Sequence, residues 1–158
     1  MTVTSIHKDA ENRTMTLTAE FTATVAGVWQ LWADPRRLER WWGPPTHPAT
    51  VVEHDLRAGG TVSYFVTGPD GERSPGWWRV LAVTPPSGLE FELGDPGIPD
   101  LLVRVRIEER PGGTRMVIVT TFPTTGAMDQ LLVMGFEQGL ATAVGQVDAL
   151  LAAEPTPG

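Results

Sequence analysis

The chain has 158 residues, 41% hydrophobic and 20% charged, with 17 Gly and 14 Pro, which supports one self-sufficient core rich in turns and excludes a disordered or fibrous chain. Twelve basic against nineteen acidic residues give a formal charge of −7, and no base follows Arg115, so neither nucleic acid nor an anionic membrane is an expected partner. With no cysteine, disulfides, thiol nucleophiles, zinc–thiolate sites and iron–sulfur clusters are excluded.

Residues 1 to about 12 are polar and read as a loose lead-in, which sets the ordered part of a single 1–158 domain at about 15–153. Met15 to Phe21 alternate apolar and polar, the mark of a half-buried strand. Thr24 is placed to cap a short helix in which Val25, Val28, Trp29 and Trp32 fall on one face. Asp34-Pro35 stops it and starts a second, with Leu38, Trp41 and Trp42 inward.

From Ala49 to Phe122 the pattern predicts consecutive antiparallel strands. Their turns lie at Ala58-Gly59-Gly60, Gly68-Pro69-Asp70-Gly71, Pro85-Pro86-Ser87-Gly88 and Pro111-Gly112-Gly113. Leu101, Val103, Val105 and Ile107 alternate with Leu102, Arg104, Arg106 and Glu108, giving a sheet with one dry and one wet face. The segment Asp95 to Asp100 carries two prolines and reads as a loop. Beyond Pro123, Met128, Leu132, Phe136, Leu140, Ala143, Val147 and Leu150 recur every three or four residues, predicting one long amphipathic helix over about 125–153 with Thr125 as its cap. Gly135, Gly139 and Gly145 interrupt it. Two readings stand for them: close approach of the helix to the sheet, or space left for a ligand.

The run Val28-Trp29-Gln30-Leu31-Trp32-Ala33-Asp34-Pro35 through Trp41-Trp42-Gly43-Pro44 resembles the opening of the activator of heat-shock-protein-90 ATPase homologue family. That family lies within the SRPBCC or START-like superfamily, to which the birch-pollen allergens belong. Asp55-Leu56-Arg57-Ala58-Gly59-Gly60-Thr61, Gly68-Pro69-Asp70-Gly71 and Pro85-Pro86 are similar to its strands and turns, and Met134 to Leu151 to its terminal helix. The resemblance implies an α+β helix-grip fold: a curved antiparallel sheet of about seven strands around a long C-terminal helix, with two short helices after the first strand. It also implies a hydrophobic cavity between sheet and helix. Superfamily members range from lipid carriers to polyketide cyclases, and the family's eukaryotic namesake stimulates a chaperone ATPase.

Within such a cavity, alternation along β-structure points His54 to the face of Val52 and Leu56. There it is either a core histidine or an acid, base or ligand anchor. Tyr64 brings the chain's only phenol into apolar surroundings, and Glu137 is either exposed or a buried carboxylate of raised pKa. These three are the catalytic candidates. The ligand-binding candidates are Trp41, Trp42, His54, Tyr64, Trp78, Phe91, Met116, Leu132, Phe136 and Leu140. The pairs Trp41-Trp42 and Trp77-Trp78 carry further expectations. The first pair stands where the cavity mouth should be, and of the second one ring must face in and one out.

No HExxH motif, acidic loop or phosphate-cradling glycine loop occurs, and neither a metal nor a cofactor is expected. No secretion signal pattern or membrane-length apolar run is present. The sequence thus leads to a cytoplasmic protein binding a hydrophobic or aromatic small molecule in its cavity. The alternatives are a cyclase- or hydrolase-type enzyme using a His or Glu in the same cavity, and a chaperone-related or other protein-interaction module. The spare apolar surface of a paired Trp suggests a homodimer.

Overall fold

In the computed structural model, which describes residues 3–43, 46–95 and 98–153, two strands come first: β1 (Val3–Asp9) and β2 (Thr14–Phe21). Helices α1 (Val25–Ala33) and α2 (Pro35–Trp41) follow, then β3 (Ala49–His54), β4 (Thr61–Thr67), β5 (Arg73–Thr84), β6 (Gly88–Asp95), β7 (Ile98–Arg110) and β8 (Gly113–Thr121). Three helical segments complete the described residues: α3 (Thr125–Val133), α4 (Phe136–Gly145) and α5 (Val147–Ala153).

The eight strands form one antiparallel sheet in the order β1-β2-β8-β7-β6-β5-β4-β3. This is the expected helix-grip plan with one more strand than predicted. The extra strand is β1, in the segment expected as a loose lead-in. It offers little apolar surface of its own and forms by laddering onto β2, from Asp9 opposite Thr14 to Val3 opposite Ala19. Its turn is closed by Asn12, whose backbone and side-chain N–H groups donate to the Asp9 carboxylate and hold that group below its ordinary pKa.

Register places the inward side chains in rows across the sheet. Thr120, Val103, Phe91 and Val80 are successive cross-strand partners, as are Leu101, Leu93, Trp78, Val62 and His54. Burying one large apolar side chain in such a row stabilises the fold by about 1.5–3 kcal/mol, and Trp78, Phe91 and Leu101 are wholly buried.

The helices start where their caps dictate. The Thr24 hydroxyl accepts from Gly27 N at 3.1 Å, and the Asp34 carboxylate accepts from Arg36 N at 2.9 Å with Pro35 in the first turn. Helices α1 and α2 carry the chain from β2 to β3 at the far edge of the sheet, burying Val28, Trp32, Leu38 and Trp41 on the way. Helix α2 also serves that edge: Glu39 Oε2 accepts from Val51 N at 3.0 Å, and Arg36 donates to the Val51 carbonyl at 3.1 Å.

Four expectations are corrected. The terminal helix is not one rod, because Gly135 takes φ +92° and separates α3 from α4; glycine alone reaches that region without strain. Its cap is Thr124, whose hydroxyl accepts from Ala127 N at 3.0 Å, rather than Thr125. The segment 95–100, expected as a loop, is strand at both ends, with Asp95 opposite Ile98; positions 96 and 97 lie outside the described residues. Lastly, a bulge between Val51 and Glu53 shifts the parity of β3. Val52, expected inside, is 69% exposed, while Val51 and His54 both face inward.

Candidate functional site

Between the inner face of the sheet and α4 lies a cavity of about 220 Å³. Strands β4, β6, β7 and β8 supply Tyr64, Leu93, Val103, Ile118 and Thr120; helix α4 supplies Phe136, Gly139, Leu140 and Ala143; and Trp42, just past α2, closes one side. Among the described residues the wall contains no Asp, Glu, Lys, Arg or His. Its described residues with polar side-chain groups are Trp42, Tyr64 and Thr120.

The aromatic wall is set by close approach. Tyr64 lies across the strand from Gly76, where a Cβ would come within 2.6 Å of its ring, so the glycine makes room for it. Trp42 meets Trp78 edge to face with ring centroids 4.9 Å apart, and Trp78 stacks on Phe91 at 4.1 Å. Behind them Trp41 is fixed by its indole N–H, which donates to the Leu31 carbonyl at 2.9 Å, and the Trp32 N–H points at Met116 Sδ, 3.3 Å away. The Trp78 Nε1 is buried and has no hydrogen-bond partner among the described residues.

Helix α4 is held at both ends. At its start the Lys8 ammonium on β1 donates to Glu137 Oε1 at 2.7 Å. Past its end the Gln146 amide donates to the Gly43 carbonyl at 2.8 Å and the Trp41 carbonyl at 3.3 Å. The second clamp grips the backbone on either side of Trp42, tying the helical wall to the aromatic one.

The profile of the Activator of Hsp90 ATPase homolog 1-like protein family matches residues 22–152. The chain belongs to that family. Its solved relatives include protein Ms6760 of Mycobacterium smegmatis, 46% identical over 96% of this chain and 98% of that one with a TM-score of 0.86. A protein from Arthrobacter aurescens, solved by NMR in solution, is 39% identical over 98% and 95% of the two chains with a TM-score of 0.93. A Rhodobacter sphaeroides protein at 24% identity and TM-score 0.86 shares the fold. No curated protein matches the chain.

In this member of the family, four of the residues singled out from sequence come together on the cavity wall: Trp42, Tyr64, Phe136 and Leu140. Trp41, Trp78, Phe91 and Met116 lie behind it in the core, and Leu132, on α3, packs against the core without lining the cavity. His54 faces inward but is spent on the fold: its Nε2 donates to the Trp32 carbonyl at 3.0 Å, in the last turn of α1 where carbonyls lack helical partners. Glu137 faces Lys8, off the cavity wall. Trp78 turns in and Trp77 out, the latter 37% exposed over Gly94 on the opposite face of the sheet.

Leu93, Val103, Ile118 and Thr120 were not among the site candidates, although alternation put Val103 on the dry face. The missing signal was register, which makes Val103 and Thr120 cross-strand partners. Of the two readings of the helix glycines, close approach to the sheet fails for Gly139 and Gly145, where an added Cβ would meet no atom within 4 Å. Among the described residues no three His, Asp or Glu side chains gather as a metal site, and no helix is long and apolar enough to cross a membrane.

Proposed function

We propose that this protein binds a hydrophobic or aromatic small molecule in the cavity between its sheet and α4. The observation that carries the reading is the composition of the wall: apolar and aromatic side chains with two hydroxyl-bearing residues, Tyr64 and Thr120, the usual make-up of a small-molecule site. Membership of a family within a cavity-forming superfamily supports it. The proposal includes a cytoplasmic setting and a partner that is neither nucleic acid nor membrane, in keeping with a formal charge of −7.

An acid–base enzyme in the same cavity is the weaker reading, because His54 and Glu137 are each committed to a partner away from the wall. A homodimer, if formed, would use the outer face of β5, where Trp77 and Leu81 are exposed. Native mass spectrometry of protein purified from its own host tests the binding reading. A retained small-molecule mass, released on unfolding, is the expected result. A bare polypeptide mass together with no heat of binding for a panel of hydrophobic compounds removes the reading.

A further inference from the structure

Gly139 stands inside α4 with a regular helical hydrogen bond, its N–H donating to the Gly135 carbonyl at 2.9 Å. A Cβ there would meet no atom within 4 Å, and its φ is not in the left-handed region. Glycine is a poor helix residue, so neither packing nor backbone geometry accounts for this one. The cavity does, since Gly139 lines it. Gly145, in the same helix and equally uncrowded, is exposed and off the wall, which makes it an internal control.

The wall also limits ligand chemistry. With no ionisable carboxylate, amine, guanidinium or imidazole among its described residues, a charged ligand would be desolvated without a counter-ion and strongly disfavoured. The Thr120 hydroxyl, which can donate or accept, is suited to a ligand polar group. A cavity of about 220 Å³ is larger than the roughly 150 Å³ that takes benzene and smaller than the roughly 300–1,000 Å³ of drug-sized sites.

Resting on the cavity-binding reading above, we propose that the ligand is a neutral molecule of one or two rings bearing a hydroxyl or carbonyl group, and that the missing side chain of Gly139 sets the upper limit on its size. The helix gives up propensity at this position, and the space gained belongs to the ligand.

Calorimetric titration with 2-naphthol, 2-naphthoate and pyrene tests this on the wild type and on Gly139→Ala, Gly139→Leu, Gly145→Ala and Gly145→Leu. Wild type is expected to bind 2-naphthol saturably, and 2-naphthoate and pyrene at least about tenfold more weakly. Gly139→Ala should weaken 2-naphthol by about tenfold and Gly139→Leu should abolish binding, whereas both Gly145 variants bind as wild type. Both alanine variants should keep or raise Tm, by up to about 2–4 °C, which separates a filled cavity from a damaged fold. Unchanged 2-naphthol binding in the Gly139 variants, or binding of 2-naphthoate or pyrene as tight as that of 2-naphthol, overturns this proposal and leaves cavity binding standing. A wild type that binds none of the three probes overturns both.

Discussion

Lys8 and Glu137, 129 positions apart in sequence, meet at 2.7 Å and pin the first turn of α4 to the edge strand β1. The pair gives Glu137 a structural partner and takes the chain's single lysine. A carboxylate so held belongs to the seam between helix and sheet.

Glu137→Gln should therefore cost no more than about 1 kcal/mol of stability, because both partners keep solvent contact, with 47% and 25% of their side chains exposed. Any ligand affinity should be retained. Urea unfolding at low and high salt measures the first and shows the difference from wild type shrinking as salt rises; a catalytic or ligand-bonded Glu137 would instead lose function.

His54→Phe removes the donor to the Trp32 carbonyl at the end of α1. We expect a loss of about 1–3 kcal/mol in unfolding free energy, the range for stranding a largely desolvated acceptor. Ligand binding, read by calorimetry, should change little. A large loss of binding with stability intact would restore His54 to the site.

Two indoles of equal size provide a matched comparison. The Trp41 N–H has a carbonyl acceptor and the Trp78 N–H has none among the described residues. Trp41→Phe and Trp78→Phe both delete part of a buried ring, but only the first breaks a hydrogen bond and strands the Leu31 carbonyl. Trp41→Phe should be the more destabilising by about 1–3 kcal/mol in denaturant unfolding. Equal losses would mean that Trp78 has an acceptor in solution, such as an ordered water.

At Gly135 the φ of +92° forces any Cβ into strain. Gly135→Ala should destabilise by about 1–2 kcal/mol, opposite in sign to the gain of up to about 1 kcal/mol expected for Gly139→Ala. Thermal unfolding of the two variants side by side reads the contrast; a shift of the same sign in both would undo the assignment of the helix break to Gly135.

Much of the fold was legible because β7, β8 and α1 carry strict periodicity. Val103, Val105 and Ile118 could be put on the inner face from alternation alone, and Trp29 and Trp32 on the buried face of α1 from helical spacing. Three things were not legible. Val51-Val52-Glu53-His54 holds no glycine or proline to mark its bulge, so Val52 read as core. Gly135, Gly139 and Gly145 look alike in sequence, yet only the first has a positive φ and only the second borders the cavity. The attachments of Glu137 and His54 depend on partners distant in sequence, Lys8 and the Trp32 carbonyl, which no local pattern reveals.

The adjacency of β2 and β8, with Thr14 opposite Thr121, bears on how the chain emerges from the ribosome. Every other neighbour in the sheet is the next strand in sequence, but β2 must wait for the last. Until β8 has been synthesised, Leu17 lacks its Ile118 neighbour and Trp32 its Met116 contact. A nascent chain stalled before Thr114 would thus display an amphipathic strand and a tryptophan-bearing helix, surfaces suited to a holding chaperone. Closure of the sheet waits for β8 and buries them.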